Sequence, residues 1–268
     1  MASGSNNHGG SLSKGLRILA AFDERSPALS VADISRRTQI SRTSVYRLTG
    51  ILEELGFIRR TDRLYRPSNK VLQLGVAALE SREFVEHVRP YLDEIISALP
   101  DCTAVNYGVL EEAEVIYLAR LHQDDIITLN LQVGSRLPAH LSSLGKAVLS
   151  ARAPQEVEAV LAKMRFERRT ETTITSPDAF RAELEKTRLT GIALNDQELT
   201  VGLRSVAAPV FRGTEVIGAV GVATLATRAD VETLENVYGP ILKSYTERIS
   251  EELSAIRFDN RAPTAVRP

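Results

Sequence analysis

Three observations predict a two-domain α+β protein. Residues 11–98 carry apolar side chains mostly at helical spacing, broken by one short arginine-rich hairpin; beyond residue 104 the period falls to two; and charge is divided unevenly along the chain. Residues 1–75 hold 12 Lys or Arg against 6 Asp or Glu, a net of +6, whereas residues 76–268 hold 21 against 28, a net of −7. The total of −1 and a pI near 6.5 hide that asymmetry. A basic first stretch on an acidic remainder fits a polyanion-binding module joined to a domain with another task.

The length of 268 residues, 43% of them hydrophobic, suffices for a small domain and a larger one with its own core. The single cysteine, Cys102, excludes an intramolecular disulfide framework and a cysteine zinc cluster. With no apolar run of membrane-spanning length and no signal-like N-terminus, a cytoplasmic location is expected.

Residues 1–10 (MASGSNNHGG) are expected to be a disordered N-terminus or a tag remnant. Residues 11–22 (SLSKGLRILAAF) place Leu12, Leu16, Ile18, Leu19 and Phe22 on an apolar stripe, with Lys14 and Arg17 outside. Residues 29–55 then predict two short helices and a tight turn. In the first, Val31, Ile34 and Thr38 recur at helical spacing, and Ser30 with Asp33 three residues on has the form of a capping box. In the second, Ser41 is the N-cap, Val45, Leu48, Ile51, Leu52 and Leu55 share a face, and Gly56 closes the helix. Arg42, Tyr46 and Arg47 lie opposite.

This is the layout of a helix-turn-helix whose second helix enters the major groove of double-stranded DNA. Ser41, Thr43 and Ser44 can bond phosphates or base edges, and Arg42 and Arg47 can take a phosphate or the O6/N7 edge of guanine. Residues 57–66 read as a hairpin wing, whose Arg59, Arg60, Arg63 and Arg66 can follow a phosphate backbone or enter the minor groove. With Lys14 these complete the expected DNA contacts. An ordinary solvated hairpin also carries arginines, and the division of charge decides for DNA. Because one winged domain buries little surface, at least a two-fold dimer on a partly palindromic site is expected.

A helical pattern returns over 68–98, interrupted at Gly75 and Pro90. The domain scheme is therefore a winged helix-turn-helix over 11–67, a linker helix over 68–81, a second domain over 82–257 and a flexible tail over 258–268. In the second domain, residues 104–109, 115–121 and 126–133 read as strands, 134–140 (GSRLPAH) as a break in the sheet, and 141–151 as a helix capped by Ser142 or Ser143. Helices follow at 154–163 and 178–188. A polar loop or short strand spans 191–203, a hairpin 206–223, and one long closing helix 230–256. The whole is an antiparallel sheet flanked by helices.

An enzyme with a basic accessory domain is the competing class. Cys102, His87, His122 and His140 are accompanied by no HExxH, nucleophile elbow, phosphate loop or paired-ligand spacing, so no catalytic residue, metal or cofactor is expected. Cys102 and His140 read as core residues, and Glu111-Glu112 and Asp124-Asp125 as solvated turns. A third reading, an architectural DNA binder without a ligand, leaves the larger acidic domain without a purpose.

Both halves resemble the IclR family of bacterial transcription regulators: SLSKGLRILAAF and SRTSVYRLTGILEELGFIRR in the first, GSRLPAHLSSLGKAVLS and LNDQELTVGLRSVAAPV in the second. The resemblance implies a GAF-like effector domain over 82–257, a homodimer, and often a dimer of dimers. The run DQELTVGLRSVAAPV is especially similar to members that regulate aromatic-acid catabolism through the β-ketoadipate route. Carried over by position, the family's small-molecule effector contacts fall on Leu129, Leu137, Ser143, Leu144, Asn195, Ser205, Gly221 and Ala223. Gly221 and Ala223 occupy positions that can be serine in members binding very small keto acids, which implies a roomier, less polar pocket here.

The expected effector is an organic acid, an aromatic acid or ring-cleavage product, with its carboxylate at the N-terminus of the 141–151 helix beside Ser142 and Ser143. Asn195 and Ser205 would add donors, and Leu129, Leu137, Leu144 and Ala223 would enclose an apolar body. Arg204 is a tempting counter-ion, equally suited to hold its own loop through Asp196 or Glu198. A capped helix merely packed on a sheet is the plainer alternative.

Overall fold

The computed structural model describes residues 10–23, 26–80, 84–99, 101–122 and 131–256. The chain divides into two compact units, residues 1–82 and 83–268.

The first unit holds α1 (Ser11–Leu19), α2 (Val31–Thr38), α3 (Arg42–Glu54), the ribbon β1 (Ile58–Thr61) with β2 (Leu64–Pro67), and α4 (Asn69–Glu80). The Ser30/Asp33 capping box opens α2, and Gln39 ends it in the left-handed region at φ 56°. Ile18, Ile34, Val45, Leu48, Ile58 and Tyr65 form its core. Two apolar stripes are narrower than the pattern implies. Leu12 and Leu16 on α1 are 79% and 58% exposed, and Ile51 and Leu55 on α3 are 41% and 52% exposed. With four helices and a two-stranded ribbon, this unit covers only the central line of each stripe.

The second unit opens with α5 (Phe84–Ala98) and builds a six-stranded antiparallel sheet in the order β5-β4-β3-β8-β7-β6. Its strands are β3 (Ala104–Glu111), β4 (Glu114–His122), β5 (Arg136–Pro138), β6 (Ala193–Asp196), β7 (Leu203–Arg212) and β8 (Glu215–Leu225). One face is covered by α5 and α10 (Gly239–Ala255), the other by α6 (Ser143–Ser150), α7 (Pro154–Leu161) and α8 (Pro177–Thr190). Alternation along the strands sorts residues by size: Val105, Tyr107, Val220 and Val222 face α5 and α10, whereas Gly108, Ala207, Ala219 and Gly221 face α6. Small residues on that face let α6 lie close to the sheet. At Gly145 a Cβ would come within 2.4 Å of the Ala139 carbonyl oxygen, so α6 and the preceding 3-10 turn (Ala139–Leu141) meet backbone to backbone.

Several expected elements are corrected. Neither Gly75 nor Pro90 interrupts its helix, since α4 and α5 run through them. Of the strand expected over 126–133, residues 126–130 lie outside the described residues and 131–133 are not strand. The stretch 134–140, expected to break the sheet, instead supplies β5 on an edge, where the missing N–H of Pro138 is tolerated. The single helix expected over 230–256 is a short α9 (Val231–Thr233), a π-helical turn (Leu234–Tyr238) and α10; Pro240, with no N–H to give, follows the wide turn. Among the described residues no helix is long and apolar enough to cross a membrane.

Candidate functional site

The first unit presents a face of unpartnered cations. On α3 the buried residues are Val45, Leu48, Thr49 and Leu52, which turns Arg42, Thr43, Tyr46 and Arg47 to solvent. Ser41 and Ser44 are spent locally: the Ser41 hydroxyl accepts from the Ser44 amide at 3.4 Å and donates to the Ser44 hydroxyl at 3.0 Å. On α2, by contrast, Arg36 pairs with Asp33, and Arg37 with Asp23 at 2.7 Å. Arg42, Arg47, Arg59, Arg63 and Arg66 have no such partner among the described residues, and Lys14 lies half-buried on α1.

The ribbon sharpens this. Arg59 stands directly across from Arg66 in the β1–β2 register, both exposed. Like charges facing across a ladder repel, and an anion laid along the ribbon offsets that cost. Arg60 is used differently, its Nε donating to the Asp62 carbonyl at 2.8 Å while its guanidinium lies over the Tyr65 ring.

In the second unit a cavity opens between the start of α6 and the small-residue face of the sheet. Seven of the eight carried-over effector positions line it: Leu137, Ser143, Leu144, Asn195, Ser205, Gly221 and Ala223. Leu129 lies outside the described residues. The cavity encloses about 40 Å³, small beside the ~300–1,000 Å³ of many ligand pockets. The roomier pocket expected from Gly221 is therefore corrected. A Cβ on Gly221 would sit 2.9 Å from Leu144 Cδ2, so the leucine of α6 fills the space that a serine would take.

The lining is mostly apolar, but it carries polar groups that were not expected. Sequence reasoning missed Thr103, Asn106, Tyr117 and above all Arg120, which stand on or beside β3 and β4 and face the cavity. The Arg120 Nη1 donates to Asn106 Oδ1 at 2.7 Å, and burial pulls the guanidinium below its ordinary value. It has no carboxylate partner among the described residues. Burial likewise pushes the Tyr117 phenol up. The sequence signal was an arginine inside an otherwise apolar strand (VIYLARLH), a place where an unpaired charge is expensive.

The donors expected in the effector site are largely committed to the fold. Asn195 Nδ2 donates to the Leu141 carbonyl at 2.8 Å, and its Oδ1 accepts from the Glu198 amide at 3.2 Å. The Ser143 and Ser205 hydroxyls bond each other at 2.8 Å. Ser142 is the N-cap of α6 but makes no side-chain cap bond. Arg204 holds its own loop, donating to Asp196 at 2.7 Å and to the carbonyls of Ala226 and Ala229. Glu198 has another partner. Lys146, wholly buried in α6, reaches Glu198 Oε1 at 2.6 Å, the Leu194 carbonyl at 2.8 Å and Glu183 at 3.4 Å. Burial pushes the Glu198 carboxyl up, and its Oε2 has no partner among the described residues.

Cys102 is fully buried with its thiol pushed up to about 11 by burial, which makes it inert. His140 is buried against Phe166, and burial holds it below its ordinary value. Of the acidic pairs, Glu111 binds Arg136 at 3.1 Å, and Asp124-Asp125 lie outside the described residues.

Comparison with known proteins gives these two sites a context. Residues 11–62 match the IclR helix-turn-helix domain, and residues 76–251 match the bacterial transcriptional regulator IclR C-terminal family. The chain is 35% identical to the Pca regulon regulatory protein of Pseudomonas putida over 91% of its own length and 84% of that protein's. Among solved structures, a transcriptional regulator from Rhodococcus sp. RHA1 is 31% identical with a TM-score of 0.78, covering 92% of this chain and 99% of that one. An IclR homolog from Microbacterium hydrocarbonoxydans, solved in complex with 4-hydroxybenzoate, shares the fold at 24% identity with a TM-score of 0.79, over 92% of this chain and 100% of that one. The relatives are regulators rather than enzymes. A helix-turn-helix presenting free arginines and family matches spanning both units place the chain in the IclR family of DNA-binding transcriptional regulators.

Proposed function

We propose that this regulator responds to a small organic acid whose carboxylate is held by Arg120 and the N-terminus of α6. The observation that carries the reading is a half-buried arginine facing the cavity with no acidic partner among the described residues. Such a charge is costly unless an anion completes it. The free backbone N–H groups at the start of α6, beside Ser142 and Ser143, add to the same positive field. Asn195 and the Ser143–Ser205 pair hold the walls in this reading rather than the ligand. At about 40 Å³ the cavity takes a carboxylate, and a ring-bearing body displaces the Leu144 side chain.

The relatives support the chemical class: one governs a pca regulon, and a protein of the same fold binds 4-hydroxybenzoate. DNA is engaged through Arg42, Thr43 and Arg47 of α3 and Arg59, Arg63 and Arg66 of the wing. Lys14, Ser41, Ser44 and Arg60 support that surface. Two copies bind a partly palindromic operator, consistent with the exposed Leu12 and Leu16 of α1, and the protein acts in the cytoplasm.

Calorimetric titration of benzoate, 4-hydroxybenzoate and adipate, each beside its amide, tests the effector site on wild type and Arg120→Gln. At least one acid is expected to bind wild type, and the substitution to cost about 1.5–3 kcal/mol, the worth of a charged hydrogen bond. Equal affinity for acid and amide, or unchanged binding by Arg120→Gln, rejects it.

A further inference from the structure

We infer that Tyr46 reads sequence, its ring packing on the C5-methyl group of a thymine in the major groove. The inference rests on α3 being the recognition helix, and begins from a misplaced aromatic. Tyr46 is 62% exposed, although a tyrosine gains most by burying its ring. It lies in the second turn of α3, between the core residues Val45 and Leu48 in sequence but on the opposite side of the helix. Arg42 is one turn before it on the same side, and Thr43 and Arg47 lie alongside, so the ring is bracketed by the free arginines rather than at the margin of the core. Gly50, one turn further, has no side chain, and nothing lies within 4 Å of where its Cβ would be. No part of the unit therefore covers the outer side of the ring from that direction.

The chemistry of the face narrows the ligand to one base feature. Arginines are long enough to reach guanine edges or the phosphates along the groove walls, and the Ser41 and Ser44 hydroxyls are occupied in the cap. A tyrosine offers a rigid apolar body and one hydroxyl, so it lacks the paired donors or donor and acceptor that read guanine or adenine. In the major groove the apolar mark is the thymine methyl. A helix inserted by its N-terminal part presents its first two turns to the base edges, which is where Tyr46 stands.

Selection from a randomised duplex library tests this on full-length wild type, Tyr46→Phe, Tyr46→Ala, Arg42→Ala and Arg47→Ala, with thermal melts to establish folding. Wild type and Tyr46→Phe are expected to enrich a thymine at one position of each half-site. Tyr46→Ala should keep the remaining positions and lose that one. Replacing the thymine with uracil in the selected site should weaken wild type and Tyr46→Phe about fourfold, the value of one buried methyl, and leave Tyr46→Ala unchanged. A Tyr46→Ala variant that selects the same thymine with the same uracil penalty overturns the inference. So does a Tyr46→Phe variant that loses the preference, because the hydroxyl would then be the reader. Arginine variants that bind like wild type overturn the recognition-helix reading itself, and with it the role of Tyr46; weakened arginine variants beside an indifferent Tyr46→Ala reject Tyr46 alone.

Discussion

Cations in the two units are handled in opposite ways. On α3 and the wing all but Arg60 are exposed and without a partner among the described residues, and Arg59 is even set against Arg66. In the second unit Lys146 and Arg204 are surrounded by carboxylates and carbonyl oxygens of the same chain. A cation whose partner is another molecule must be left open, whereas one that holds a wall must be satisfied at home. Arg120 belongs by its position to the second unit but, with no acidic partner among the described residues, to the first class, and that is the ground on which a ligand contact is proposed for it.

That contrast breaks most severely at Lys146. Lys146→Met leaves Glu198 buried without its cation and is expected to destabilise the second unit by about 3–5 kcal/mol in urea unfolding. Lys146→Met with Glu198→Leu removes both charges and should recover most of that loss. A double variant no more stable than the single one would mean that the pair is not the source of the effect.

A smaller and purely intermolecular effect is expected on α3. Arg42→Ala or Arg47→Ala should weaken operator binding by about 1–3 kcal/mol where the arginine grips a base, with unfolding stability unchanged. Uniform weakening on all sequences would instead identify a phosphate contact. The gentlest test is Arg66→Gln on the wing. It should lower the slope of log K against log salt by about 0.9 while raising stability by no more than ~1 kcal/mol, because it relieves Arg59. A salt slope equal to wild type would show that this arginine faces water in the complex.

How far the sequence could be read follows the same division. The capping box, the N-cap Ser41 and the free arginines are local features, written within a few residues of one another, and α2 and α3 form where that chemistry requires. The cavity is assembled from all six strands, β3 to β8, and α6, so its size depended on contacts that spacing does not report. Gly221 suggested room, and only the packing shows Leu144 occupying it. Arg120 was passed over because strand periodicity does not say whether a charge faces a cavity or water. Lys146 was hidden for the corresponding reason in a helix: its partner Glu198 is 52 residues away. The edge strand β5 was missed because Gly134 and Pro138 read as breakers, a rule that holds inside a sheet and relaxes at its border.

Residues 143–146 occupy barely more than one helical turn, yet each is committed to a different neighbour: Ser143 to Ser205, Leu144 to the hollow at Gly221, Gly145 to the Ala139 backbone, and Lys146 to Glu198. Successive residues point about 100° apart around a helix, so the turn is used around its full circumference. Such a segment has no outward side on which change is neutral. Substitutions that reshape the cavity are therefore expected to be better tolerated on the strands facing α6, where one residue at a time can be altered, than on the helix that serves as their gauge.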